Sequence, residues 1–248
     1  MQQYFIYSSP SAENIEITDK NTIKHMFQVM RLRAGDEVVL VFPDGIKRLA
    51  EVVDVESRTM RIVEALDENV ELPVHVTIAC GFPKGDKFAI IAQKATELGA
   101  AEICGFPADR SIVKRDDKKL AKLAEKLEKV VQGAAEQSKR NIVPGINLIA
   151  NKKGFVDSFA EYDKVFVAYE EAAKEGEKSA LAKALLEVST GEKLLFIFGP
   201  EGGITDKEIE TFVEAGAVSV GLGPRIMRAE TAPMYALSAV SYALELSK

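Results

Sequence analysis

The chain has 248 residues, 47% apolar and 28% charged, the balance of a globular protein with room for two modest domains. A net charge of −6 argues against nucleic-acid binding through overall charge, and two cysteines, Cys80 and Cys104, are too few for a disulfide framework. The apolar runs fall far short of the ~20 residues of a membrane span, and MQQYFIYSSPSAEN has no export signal, so a cytoplasmic protein without membrane attachment is expected.

The first seventy residues read as β structure. Alternating or β-branched runs occur at Gln3–Tyr7, Glu37–Phe42, Leu49–Val55 and Met60–Ala65, separated by turn signals such as Pro43-Asp44-Gly45. A helical stretch over Lys20–Met30 interrupts them, and short strands at this spacing predict a small barrel. This segment carries eight basic and twelve acidic residues, whereas residues 81–145 carry thirteen and nine. Any phosphate-binding face therefore draws on the middle of the chain and on local clusters, although such basic stretches also serve as solvated helix faces.

After Pro73 the rhythm changes. Val74–Cys80 predicts a strand, and Asp86–Leu98 a helix with Ile90, Ile91, Ala95 and Leu98 at helical spacing, Asp86 as N-cap and Gly99 as C-cap. Further strands are expected at Ile103–Phe106, Ile142–Ile149, Lys164–Tyr169, Lys193–Phe198 and Val218–Leu222. Helices are expected at Lys118–Ser138, Phe155–Tyr162, Ser179–Val188, Lys207–Ala215 and Pro233–Leu246, the last apolar on nearly every side and expected to be buried. This alternation predicts an α/β domain with a mostly parallel sheet. The boundary near residues 66–73 gives domains at 1–70 and 71–248.

Ligands of such sheets bind where loops leave the carboxyl ends of the strands. Two glycine-rich loops meet that description. Phe198-Gly199-Pro200-Glu201-Gly202-Gly203 runs into Thr205-Asp206-Lys207-Glu208, a capping-box pattern. Gly221-Leu222-Gly223-Pro224-Arg225-Ile226-Met227-Arg228 runs into the last helix. Glycine allows sharp turns and close approach of backbone to a ligand, though any one such loop could be an ordinary strand-to-helix turn. Gly221-Leu222-Gly223 lacks the third glycine of a dinucleotide fingerprint, and Gly81-Phe82-Pro83-Lys84-Gly85-Asp86-Lys87 suits phosphate but is no P-loop. His25 and His75 lack metal-type spacing, and no Gly-x-Ser-x-Gly elbow exists, so no metal site and no serine hydrolase is expected.

FGPEGGITDKEIE followed by VGLGPRIMRAETAPMYALSAV resembles the cofactor-binding signature of the SPOUT methyltransferases, and most closely the ribosomal RNA small subunit methyltransferase E family. HMFQVMRLRAGDEV, KGDKFAIIAQKATELG and EQSKRNIVP agree, so the resemblance covers essentially the whole chain in order. Two departures stand out: the first ten residues lack an arginine, and Ala229 replaces the threonine of the common Arg-Thr-Glu-Thr.

The resemblance implies S-adenosylmethionine-dependent methylation of uridine N3 in small-subunit (16S) ribosomal RNA, within assembled or nearly assembled subunits. It implies a PUA-like RNA-binding barrel, a SPOUT-type α/β domain closed by a trefoil knot, and a homodimer. It places the cofactor against Phe198, Gly199, Pro200, Glu201, Gly202, Leu222, Gly223, Pro224, Ile226 and Met227. Glu230 is the candidate general base for the N3 proton and Arg228 the candidate stabiliser of the developing uracil oxyanion; the alternative is that the two pair with each other to hold their loop. Arg31, Arg33, Lys114, Lys139 and Arg140 are the candidate phosphate contacts. Two other functions stay open: a non-catalytic RNA-binding assembly factor, and a dinucleotide oxidoreductase.

Overall fold

In the computed structural model, residues 1–10, 13–111, 117–169 and 180–247 are described. Contacts divide the chain into two units, Met1–Glu71 with Ala135–Val143 and Leu72–Ala134 with Pro144–Lys248.

The first unit is built on strands β1 (Gln3–Phe5), β2 (Asn14–Glu16), β3 (Glu37–Val41), β4 (Lys47–Asp54) and β5 (Thr59–Leu66). They form one sheet in the order β1-β3-β4-β5-β2, parallel at β1–β3 and antiparallel elsewhere. Tyr4, Ile15, Leu40, Val52 and Met60, one from each strand, share a single buried core with Met26. All five strands reach that core because the sheet curls, helped by irregular register in β4 at Leu49/Ala50 and Val52/Asp54. The helical stretch begins as α1 (Lys20–Ile23), with the Asp19 carboxylate accepting from the Thr22 amide at 2.8 Å. It ends as a wider turn in which the Met30 amide reaches the His25 carbonyl, so the expected helix over Lys20–Met30 is not uniform α-helix. Strand β2 had no counterpart in the sequence reading.

Residues 135–143 are sewn into this unit by polar contacts. Glu71 accepts from Arg140 Nε at 2.9 Å and from the Asn141 amide at 2.7 Å. Asn141 Nδ2 donates to the carbonyls of Gly45 and Glu68, and buried Gln3 donates to the Arg140 carbonyl. The Tyr4 hydroxyl shares a hydrogen bond with His25 Nδ1 at 3.0 Å. Burial, then the Glu136 charge, pushes the Tyr4 phenol up to about 12.

The second unit holds strands β6 (His75–Gly81), β7 (Glu102–Phe106), β8 (Gly145–Leu148), β9 (Lys164–Ala168), β10 (Lys193–Phe198) and β11 (Val218–Val220). They form a wholly parallel sheet in the order β11-β9-β10-β6-β7-β8. The connections are α2 (Lys87–Glu97), α3 (Asp117–Gln137), α4 (Lys152–Asp157), α5 (Ala180–Leu186) and α6 (Asp206–Glu214), with α7 (Ala232–Ser241) last. On one face Val165, Val167, Leu195 and Ile197 pack against Phe155, Phe159 and Phe212. Phe106 stacks on Phe155 with centroids 4.0 Å apart, and Phe212 meets both rings edge-on. On the other face Phe166 and Phe196 pack together, and α7 lies against α2 and β10.

Three expectations are corrected. Asp86 stands at the N-cap of α2, but its carboxylate pairs with Lys126 Nζ at 2.7 Å and makes no cap. The helix expected at Phe155–Tyr162 starts earlier, at Lys152, where Asn151 caps the Gly154 amide, and tightens into a 3₁₀ turn at Ser158–Glu161. The last helix buries only one face, with Pro233, Ala236, Leu237, Val240 and Leu244 inside, while Tyr235, Tyr242 and Leu246 stay exposed.

Candidate active site

Strands β6 and β10 lie side by side, yet the chain leaves β6 towards β7 and leaves β10 towards β11 on the other flank. That divergence, at the carboxyl ends of the two strands, is the usual ligand position of an open α/β sheet. Gly81 at the end of β6 packs against Pro200 in the turn after β10. A Cβ on Gly81 would come within 2.7 Å of Pro200 Cδ, and one on Gly199 within 2.7 Å of the Gly203 carbonyl carbon. The turn after β10 is therefore closed on itself, with the Gly203 amide donating to the Pro200 carbonyl at 2.8 Å.

A polar frame fixes this turn from behind. The capping box forms as the sequence predicts: Thr205 accepts from the Glu208 amide, and the Glu208 carboxylate accepts from the Thr205 amide. Glu208 is 1% exposed, and its other oxygen accepts from the Asp109 amide and pairs with Lys152 at 2.8 Å. Lys152 also pairs with Asp109, whose carboxyl it holds below the usual carboxylate range. Arg110 Nη1 donates to the Gly202 carbonyl at 2.8 Å, and its stem leaves no space for a side chain at Gly202.

Beyond β11 the chain runs through Gly221–Arg228 in irregular backbone. Gly223 has φ +89°, a backbone conformation that favours glycine, and a Cβ there would stand in ordinary contact with the Tyr235 hydroxyl. The Arg228 carbonyl accepts from the amides of Thr231 and Ala232, which anchors Arg228 and Glu230 at the start of α7. Leu222 and Met227 are half-buried and Ile226 is 81% exposed, so this loop displays apolar side chains that the rest of the chain leaves uncovered.

Glu201 and Glu230 meet at Lys87, to which sequence reasoning assigned no role, and Arg228 lies beside Glu230. Lys87 Nζ lies 3.1 Å from Glu201 Oε1 and 3.4 Å from Glu230 Oε2. Glu230 Oε1 lies 3.9 Å from Arg228 Nη1, while buried Oε2 receives no directed hydrogen bond. The Lys84 amide also donates to Glu201, at 3.2 Å. Burial pushes the Glu201 carboxyl up, but its own amide, Lys87 and the Lys84 amide together outweigh burial and hold it below the usual range. Lys87 is held above the ordinary lysine value, chiefly by its hydrogen bond to Glu201. The signal for Lys87 was present in the Lys84–Lys87 motif, but its partners lie far along the chain.

The candidate phosphate contacts divide differently. Arg31 and Lys139 are exposed and both take positive φ, 57° and 61°, and Arg33 is exposed beside them in sequence. Lys139 Nζ donates to the Met1 carbonyl. Arg140 is 3% exposed in its side chain and engaged by Glu71, so its guanidinium does not face solvent. Lys114 lies outside the described residues. Among the described residues no cluster of side chains suits a metal ion, and no helix is long and apolar enough to cross a membrane.

A family profile described as an RNA methyltransferase domain matches residues 70–241, and one described as an RNA methyltransferase PUA domain matches residues 17–64. Ribosomal RNA small subunit methyltransferase E of Bacillus subtilis (strain 168) is 43% identical, covering 99% of this chain and 98% of the relative. Among solved structures, ribosomal RNA small subunit methyltransferase E from Neisseria gonorrhoeae bound to S-adenosylmethionine has a TM-score of 0.82 at 28% identity, covering 97% of both chains. A Legionella pneumophila protein described as a methyltransferase in complex with the same cofactor has a TM-score of 0.80 at 27% identity, covering 98% of both.

Proposed function

The chain belongs to the ribosomal RNA small subunit methyltransferase E family of RNA methyltransferases, and from that premise we propose that it methylates uridine N3 in small-subunit ribosomal RNA with S-adenosylmethionine as donor. The observation that carries the reading is the meeting of Glu201 and Glu230 at Lys87, with Arg228 beside Glu230, next to a turn whose Gly199 and Gly202 have no room for a side chain.

The site suits the cofactor. The turn from Phe198 to Gly202 and the loop from Leu222 to Met227, with Gly223 and Pro224, offer backbone groups for adenine and ribose. Leu222, Ile226 and Met227 offer the uncovered apolar surface that an adenosyl group needs. Bound S-adenosylmethionine supplies an electrophilic methyl group on a sulfonium. The protein's own share is orientation, proton removal and charge stabilisation. Glu230 would take the proton from uracil N3, and Arg228, exposed beside it, would stabilise negative charge on the uracil oxygen. Glu201 belongs to the cofactor turn and is held there by the Lys84 amide and Lys87.

The PUA-like unit grips RNA through Arg31, Arg33 and Lys139, which position phosphate without reading sequence. Assembled or nearly assembled small subunits are the substrate, the setting is the cytoplasm, and the chain works as a homodimer. The exposed Tyr242 and Leu246 support a further partner surface for the last helix. The segment after β11 closes the trefoil knot that the family resemblance implies.

The test is methyl transfer from labelled S-adenosylmethionine to small subunits lacking the modification, read by nucleoside mass spectrometry. The expected product is 3-methyluridine. A different methylated nucleoside would overturn the assignment of the base. Cofactor binding without any labelled nucleoside would favour the non-catalytic assembly factor.

A further inference from the structure

The loop Gly81–Asp86 and the lysine that follows it touch no reacting group in the reaction just described, although they contact the turn after β10. Lys87 opens α2, and its ammonium reaches carboxylates from two different segments, Glu201 in the turn after β10 and Glu230 in the segment after β11. The Lys84 amide adds a second link from the same loop to Glu201. Three stretches of chain that are remote in sequence thus converge on one cation.

Magnitudes decide what such a cation does. Lys87 is about a third exposed, and ion pairs of that kind contribute little to global stability. Misplacement of a reacting group by about 1 Å can cost roughly a hundredfold in rate. A bridge between two loops therefore matters far more for their mutual geometry than for the fold. We propose that Lys87 is a positioning residue: it holds the turn 199–203 and the segment 228–230 in one fixed arrangement, so that the cofactor loops and Glu230 are preorganised together. The inference rests on the functional reading of those loops given above.

The experiment compares the full chain with Lys87→Met and Lys87→Arg by three measurements. Hydrogen exchange of the ligand-free protein reads the loops directly. In Lys87→Met the amides of residues 199–204 and 221–231 should exchange at least about fivefold faster, with the urea midpoint nearly unchanged. Affinity for S-adenosylhomocysteine by calorimetry should fall by about fivefold or more, and Lys87→Arg should recover most of both losses. Glu201→Gln should loosen only residues 199–204, and Glu230→Gln only the later segment. Exchange in Lys87→Met equal to the parent in both segments would overturn the inference. A parent protein that binds no S-adenosylhomocysteine would overturn the functional reading instead, and the exchange comparison would still decide the role of Lys87.

Discussion

Two arginine–glutamate pairs, Arg140–Glu71 in the first unit and Arg228–Glu230 in the second, behave in opposite ways. Arg140 and Glu71 are 3% and 17% exposed in their side chains, and Glu71 also accepts from the Asn141 amide. Arg228 and Glu230 stand 3.9 Å apart, with Arg228 82% exposed and one Glu230 oxygen lacking a directed hydrogen bond. The same two functional groups form a closed clasp in one unit and a loose pair with an exposed arginine in the other. What separates them is burial and leftover hydrogen-bonding capacity, not residue type.

Mutation should separate the two pairs cleanly. The largest effect is expected at the clasp: Glu71→Gln leaves the Arg140 charge buried without its counterion and should cost about 3–5 kcal/mol, read as a lower urea midpoint for the first unit. Glu230→Gln should leave that midpoint unchanged while lowering kcat by about a hundredfold to ten-thousandfold. The parent's pH profile sharpens the point. Lys87 is raised and Glu201 lowered, so their bridge is complete below about pH 10 and above about pH 4, and is lost only as pH rises through the folded lysine value or falls through the folded carboxylate value. A rise of rate between pH 6 and pH 9 would therefore report deprotonation of the substrate, and not the bridge. The smallest effect is expected on the RNA side, where Arg31→Ala should flatten the salt dependence of RNA binding by about one unit of log–log slope; an unchanged slope would remove Arg31 from the interface.

Much of this was legible in the sequence where the information is local. The β–α alternation after Pro73, both glycine loops and the capping box at Thr205–Glu208 depend on near neighbours, and the structure forms them where the residues indicate. Elements decided by distant partners were not legible. Strand β2 is three residues long and exists by pairing with β5. Arg140 reads as a phosphate contact until Glu71, 69 residues earlier, is placed against it. The apolar composition of the last helix suggested burial all round, but nothing in its own residues reveals that Tyr242 and Leu246 face outward. Lys87 was hidden for the same reason as Arg140, since neither of its carboxylate partners is near it in the chain.

The return of residues 135–143 to the first unit has a consequence for synthesis. The amino-terminal sheet emerges from the ribosome first, but its Glu71 has no partner until Arg140 and Asn141 have also been made. At about 5–20 residues per second, that delay is roughly 4–14 seconds. During that interval the nascent first unit is an unfinished clasp, and the translating ribosome sets the earliest moment at which it can close.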